Sequence, residues 1–356
     1  MRSENRKTRI NQIIIPLLIA VLFLCGCTAK EQSPAGDFEL QAYQETYMTL
    51  FDTLTIVKGY AASEDEFKEA LKPFYDEFML CHELFDIYND YSGLNNVKTI
   101  NDNAGVKPVE VDTRIISMLK FCREVYDMTE GMVDVTLGPV LKLWHDAREE
   151  GETNPGKAYL PDMDELRAAM EYVGFDNLVI DESSSTVFLA DPNARLDVGA
   201  VAKGYAVQMA SEKLPEGYLV SVGGNVVATG GKDGGDTPWS VGIRNPLGEA
   251  DDYIYIVNLI KGSAVTSGDY QRYYTVAGEN YHHIIDPTTL MPGTKWRSVT
   301  IICEDSGLAD ALSTAAFLMD RERGEKLIVS QGAEAMWVDA EGNTYYTSGF
   351  QERIKK

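Results

Sequence analysis

The chain has 356 residues, 44% of them hydrophobic and 24% charged, with a formal charge of −23. That length and balance describe a globular protein with a sizeable core. The acidic excess excludes general binding to nucleic acid or anionic headgroups, so a nucleotide must be held locally, by a metal or a helix end.

At the N-terminus, Arg2, Arg6, Lys7 and Arg9 precede an apolar run over residues 13–24. The run is short for a transmembrane helix and has the layout of a signal peptide. It ends in Leu24-Cys25-Gly26-Cys27, which resembles the lipobox of bacterial lipoproteins. That resemblance implies a signal peptide over 1–26 and a lipidated Cys27 with a spacer over 27–42. A single domain over 43–356 would then be held at the outer face of the cell membrane. Loss of residues 1–26 removes four Lys/Arg and one Glu, leaving 28 basic against 54 acidic side chains, a formal charge of −26. Cys81, Cys122 and Cys303 lie far apart in apolar patterns with no zinc-type spacing, so buried free thiols are expected.

Residues 43–60 read as one strand, with alternation clearest over 47–57. Ser63 and Glu66 have capping-box spacing for a helix running to about residue 85. Residues 86–95 are turn-rich and hold Tyr88 and Tyr91. Asp112 or Thr113 caps a second helix reaching residue 126, and Gly131 stands just past it. Residues 132–139 lead into an aromatic helical stretch ending at Asp146; the charged residues 148–157 read as a loop. A third helix over 164–173 and a hairpin over 178–189 follow. Residues 195–198 read as a short strand and 200–214 as a helix. Further strands are expected at 218–222, 226–228, 239–243, 253–259, 264–266, 270–276, 281–285 and 299–303. A helix over 308–318, a shorter one near 325–329 and a hairpin over 335–346 close the chain. This mixture predicts an α+β fold, a large mostly antiparallel sheet with packed helices.

Three stretches could carry chemistry. In Arg195-Leu-Asp-Val-Gly-Ala-Val-Ala-Lys-Gly204, a helix starting after Gly199 offers N–H groups and a positive dipole end to a phosphate. Lys203 would add a full charge and Asp197 would offer oxygens; the plain alternative is an ordinary strand–turn–helix. Asp310 and Thr314 are four apart on a helix, so their oxygens share a face suited to a hard cation. The alternative there is a small-residue packing face. In His282-His283-Ile-Ile-Asp286-Pro287, adjacent residues on a strand face opposite ways, so only one histidine can enter a site, as a base or a phosphate partner; the alternative is a polar strand end. The turns Ser221-Val-Gly-Gly-Asn225 and Thr266-Ser-Gly-Asp-Tyr270 could cradle a ligand or be plain hairpins. A Gly-x-Ser-x-Gly elbow, a Rossmann fingerprint and a P-loop are all missing from the sequence.

Together the motifs resemble the ApbE family, the FAD:protein FMN transferases, over about residues 51–318. They are Phe51-Asp-Thr53, Tyr88 before Ser92, Val133-Asp-Val-Thr-x-Gly-Pro139, Leu196-Asp-Val-Gly-Ala-Val-Ala-Lys-Gly204, Ser221-Val-Gly-Gly224, Thr266-Ser-Gly-Asp269, His283-Ile-Ile-Asp-Pro287 and Ala309-Asp-Ala-x-x-Thr314. The resemblance implies an ApbE/T-fold-like architecture. It implies Mg²⁺, with Mn²⁺ as the alternative, held by the Ala200 carbonyl, Asp310 and the oxygens around Ser313 and Thr314. FAD would lie along Phe51, Tyr88, Met132, Val133, Asp134, Asp197, Lys203 and Ile284, with His283 or Asp310 as the base. The implied reaction moves FMN from FAD to a threonine hydroxyl of a partner protein, a membrane redox subunit, and releases AMP. Water as acceptor would make the protein an FAD pyrophosphatase; no turnover would make it an FAD-binding lipoprotein. Two positions depart from the family pattern. Phe51-Asp52 stands where many relatives have Met-Gly, and Leu290 stands where a glycine often follows Asp-Pro-x-Thr.

Overall fold

The structure is a computed structural model describing residues 40–48, 50–249 and 252–356. The signal peptide expected over 1–26 and the expected lipidation site Cys27 lie outside the described residues.

The expected single strand over 43–60 is two: β1 (Gln41–Tyr47) pairs antiparallel with β2 (Thr55–Ala61). The chain reverses at Leu50–Asp52, where Phe51 and Asp52 take φ of 50° and 53°. Residues 48–54 hold no Gly or Pro, so composition gives little hint of this turn. Helix α1 (Glu64–Phe85) starts as its spacing predicts: the Glu66 N–H donates to Ser63 Oγ, and the Ala62 N–H to Glu66 Oε2. Next come α2 (Val97–Asp102), β3 (Val109–Glu110) and α3 (Thr113–Met128), the last capped by Asp112.

Helix α4 (Gly138–Thr153) runs into the residues expected to form a charged loop. Ala147 and Gly151, one turn apart, are buried, and Gly151 lies so close to Tyr274 that a β-carbon would sit 2.7 Å from its ring. Exposed charges such as Lys142, which pairs with Asp146, lie on the outer face. Helix α5 (Met163–Ala169) and the hairpin β4 (Leu178–Asp181) to β5 (Thr186–Leu189) follow.

Residues 195–198 form no strand and join no ladder. The buried Asn101 amide takes the place of a strand, donating to Leu196 O at 3.0 Å and accepting from Leu196 N at 2.7 Å. The Asp197 N–H donates to Val135 O. This clamp delivers the chain to α6 (Ala202–Ser211), which begins two residues later than expected.

Then come β6 (Leu219–Val222), β7 (Asn225–Ala228), β8 (Trp239–Arg244), β9 (Tyr253–Leu259), β10 (Gly262–Gly268), β11 (Tyr273–Val276), β12 (Glu279–His282) and β13 (Ser298–Cys303). The chain closes with α7 (Ser306–Leu318), α8 (Arg321–Ser330), β14 (Glu334–Val338), β15 (Thr344–Tyr346) and α9 (Phe350–Arg353). Eight strands form one sheet in the order β1-β2-β6-β7-β10-β13-β14-β15, every pair antiparallel. The fold is α+β, as expected.

Alternation divides the core. Val265, Val299, Ile301 and Trp337 point into the main core with α1, α6 and α7. Their neighbours Ala264, Ile302, Met336 and Val338 point to the opposite face, where β8 and β9 pack. Cys81 and Cys122 are buried free thiols and Cys303 is a half-buried one. Among the described residues, no helix is long and apolar enough to cross a membrane.

Helices α6 and α7 cross at Gly204, where a β-carbon would lie 2.4 Å from Asp310 Cβ and 2.5 Å from Ser306 O. Gly204→Val should therefore cost at least ~2 kcal/mol by overpacking. A lowered urea midpoint with an unchanged m-value would show it; an unchanged midpoint would mean that the crossing is looser than described.

Candidate active site

A cleft of about 800 Å³ has the start of α6, one face of α7 and the β6–β7 turn among its walls. All four histidines of the chain line it: His82, His145, His282 and His283. The residues expected at a flavin site, Phe51, Tyr88, Met132, Val133, Asp134, Asp197, Lys203 and Ile284, line it too, although they come from five separate stretches of chain. Ala200, His283, Asp310 and Thr314 also line it. Ser313 sits behind the wall, fully buried, with its hydroxyl donating to Asp310 O at 2.8 Å and lying 2.7 Å from Ser267 Oγ.

Asp310 is the best-anchored group. Its carboxylate accepts the Gly204 N–H at 2.8 Å and stands 3.3 Å from the Lys203 ammonium, which also donates to Asn225 Oδ1. Burial pulls the Lys203 pKa down, and the Asp310 carboxylate acts to raise it. The expected phosphate cradle is thus partly filled from within. The Gly204 N–H serves Asp310, and the Gly199 N–H donates to Asp197 Oδ1 at 2.9 Å.

The two histidines separate by role, but not because a strand alternates: β12 stops at His282. His282 donates from Nε2 to Gly293 O at 2.7 Å and accepts the Ile284 N–H at Nδ1, so both ring nitrogens are spent on the fold. Nδ1 of His283 lies 3.2 Å from Arg272 O, which can only accept, so Nδ1 carries the proton and Nε2 keeps its lone pair. Burial, with the positive charge of Arg272, pushes the His283 pKa down to about 3. The ring is neutral at physiological pH.

Tyr88 stacks on His145 with centroids 4.8 Å apart and its hydroxyl 3.4 Å from Nδ1. Burial and the nearby Asp197 raise the Tyr88 pKa to about 12. Asp134 caps its own turn, accepting from the Thr136 N–H and hydroxyl at 2.8 and 2.6 Å, and burial raises its pKa. Phe51 packs against Phe78 at 5.0 Å and edge-on to His82 at 5.4 Å.

Sequence reasoning missed several members of the site. Arg148, Arg244 and Arg272 bring positive charge to the cleft, and Arg244 lies over the Tyr270 ring at 4.8 Å. No spacing rule links arginines on three distant elements. Asn225, fully buried, had a signal in its Gly-Gly-Asn turn, but only the fold shows that its amide faces Lys203.

The ApbE family pattern matches residues 48–337. The chain belongs to the ApbE family. A relative from Treponema pallidum called FAD:protein FMN transferase is 32% identical, over 72% of this chain and 74% of its own. One of the same name from Escherichia coli is 27% identical over 94% of both chains. The crystal structure of an ApbE protein from Thermotoga maritima superposes with a TM-score of 0.77 at 31% identity, over 89% of this chain and all of that one. Flavin Transferase ApbE from Vibrio cholerae, at 24% identity and a TM-score of 0.70, shares the fold.

Seen as an ApbE family member, the chain explains its two departures from the glycine pattern. Asp52 and Leu290 have φ of 53° and 62°, a region where glycine is at ease and other residues are strained. The donor set around Asp310 also fits a hard divalent cation. One carboxylate and the Thr314 hydroxyl, both in the wall, suit an ion that keeps water and substrate oxygens for its other positions. No cluster of three His, Cys, Asp or Glu occurs among the described residues, so an all-protein cage is not what this site offers.

Asp52 is exposed and its side chain has little packing to lose. Asp52→Gly should raise stability by about 0.5–1 kcal/mol through relief of the left-handed strain. Thermal unfolding checks this, and a lower Tm would show that the Asp52 side chain contributes more than its backbone strain costs.

Proposed function

We propose that the protein transfers FMN from FAD to a threonine hydroxyl of a partner protein and releases AMP, as a lipoprotein tethered through Cys27 outside the membrane. The observation that carries this reading is one cleft that unites a buried Asp310–Lys203 pair with a neutral histidine whose Nε2 lone pair is uncommitted.

The cleft's own residues have definable tasks. Lys203, Arg148, Arg244 and Arg272 supply the positive charge that draws a pyrophosphate into a chain of net charge −23. Phe51, Met132, Val133 and Ile284 offer apolar wall to a flavin, and Tyr88 an aromatic face. Asp310 and Thr314, with the Ala200 carbonyl, would hold Mg²⁺ or Mn²⁺. Such a cation supplies charge neutralisation across the pyrophosphate as AMP departs.

The threonine oxygen bonds to the FMN phosphorus, the bond from that phosphorus to the AMP oxygen breaks, and AMP leaves with the electron pair. The threonine proton goes to Nε2 of His283. Burial above all, and then the positive charge of Arg272, hold the ring of the free cleft at a pKa of about 3. A pyrophosphate beside the ring offsets the charge contribution, which makes Nε2 a better base in the complex than in the free cleft. Asp310 is the poorer base, because its oxygens are already engaged by the Gly204 N–H and Lys203. The acceptor fits a membrane redox subunit, which the tether would place within reach.

The test is incubation of residues 28–356 with FAD and Mg²⁺, with and without an acceptor carrying a flavinylation threonine. Transfer predicts AMP together with an FMN-sized mass gain on the acceptor. AMP and free FMN in both tubes would replace transfer by FAD pyrophosphatase activity, and FAD binding with no AMP in either would leave a binding protein. His283→Gln should lower transfer about 10²–10⁴-fold with FAD affinity kept. Asp310→Ala should lower Mg²⁺-dependent AMP release by on the order of 10²-fold or more. Wild-type rates in either variant would remove that residue from the chemistry.

A further inference from the structure

Lys203 stands where a cation bound to Asp310 would compete with it. Its ammonium lies 3.3 and 3.5 Å from the two Asp310 oxygens, and Asn225 Oδ1 accepts from the same ammonium. Asn225 has no exposed surface and Asp310 only 6%. The second Asp310 oxygen is held by the Gly204 N–H, so the carboxylate cannot easily turn away from Lys203. Neutralising a buried carboxylate with a resident ammonium removes most of its attraction for a divalent ion.

We infer that Lys203 is a stand-in counter-ion, parked on Asp310 by Asn225, which makes cation binding conditional on the pyrophosphate of the nucleotide. This rests on the metal reading above and deepens it. The pyrophosphate gives the ammonium a stronger anionic partner, Lys203 leaves Asp310, and the carboxylate becomes available. Linkage requires the effect to be reciprocal: whatever factor the nucleotide adds to cation affinity, the cation adds to nucleotide affinity. Lys203 acts here as a positioning residue, since its effect on the cation passes through Asp310. A protein with this device holds a divalent ion more weakly without its nucleotide than with it.

The experiment is Mn²⁺ titration followed by the electron paramagnetic resonance of the free ion, without and with FAD, on wild type, Lys203→Gln and Lys203→Arg. Each is read at about 0.05 and about 0.5 M salt, the higher of which largely screens long-range fields and contact pairs much less. Free of FAD, Lys203→Gln should bind Mn²⁺ on the order of tenfold more tightly than wild type at both salt concentrations. Its enhancement by FAD should shrink by a similar factor. Lys203→Arg keeps the charge and should stay near wild type, which separates the effect from loss of fold. An enhancement in Lys203→Gln that vanishes at high salt would reduce Lys203 to a general field and overturn the inference. Equal nucleotide-free affinities in wild type and Lys203→Gln, with Mn²⁺ bound once FAD is present, would overturn it while leaving the metal reading intact. No Mn²⁺ binding by wild type even with FAD would overturn both.

Discussion

One contact joins the packing of this protein to its chemistry: the Asp310 carboxylate on the Gly204 N–H, 2.8 Å away. It exists only because Gly204 has no β-carbon, which would overlap Asp310 Cβ and Ser306 O. The missing side chain lets α6 and α7 touch, and their touching brings a carboxylate to the N-terminal turn of α6. Lys203, one residue earlier in the chain, then has an anion to face. Helix packing and site electrostatics are here the same geometric fact, so neither can be altered alone.

Around that contact, the acidic groups of the cleft largely serve the backbone. Asp197 holds the Gly199 N–H, Asp134 holds Thr136, and Asp86 accepts from the Tyr88 and Asn89 N–H groups and the Tyr91 hydroxyl. Such carboxylates shape the loops that carry the site, and each turn's fixed geometry presents the next side chain to the cleft. Arg148, Arg244 and Arg272 bring the opposite charge to the same walls. Five aspartates thus face four Arg and Lys across the lining, so the positive charge is set at separate points of the wall and does not come from an excess of cations.

What was legible in the sequence was local. The caps at Ser63 and Asp112 and the one-turn spacing of Asp310 and Thr314 depend on neighbours a few residues away, and the structure has them as read. What escaped was set by distant partners. Residues 195–198 look like a strand but are satisfied by Asn101, nearly a hundred positions earlier. The charged residues 148–153 look like a loop because the small side chains that bury their inner face, Ala147 and Gly151, carry little hydrophobic signal. The histidine pair was noticed for its rarity, yet alternation along a strand was the wrong reason for the two roles. His282 ends its strand, and its two hydrogen bonds, to Gly293 and Ile284, are what withdraw it from chemistry.

Two of the left-handed residues, Asp52 and Leu290, show how that backbone can be held without glycine at different cost. Each non-glycine residue there carries roughly 1–2 kcal/mol of backbone strain. Leu290 is buried among Trp144, Ile285 and Tyr274, and its carbonyl accepts the Trp144 Nε1–H at 2.9 Å. Burial of a leucine side chain contributes about 1.5–3 kcal/mol, enough to offset the strain. Asp52 has no comparable shelter, although an aspartate tolerates this conformation better than a branched residue. Its strain lies in the turn that sets Phe51 against Phe78 and His82 in the cleft wall. The left-handed geometry at that turn puts Phe51 in the cleft wall, and the identity of the next residue adjusts only the cost of that geometry.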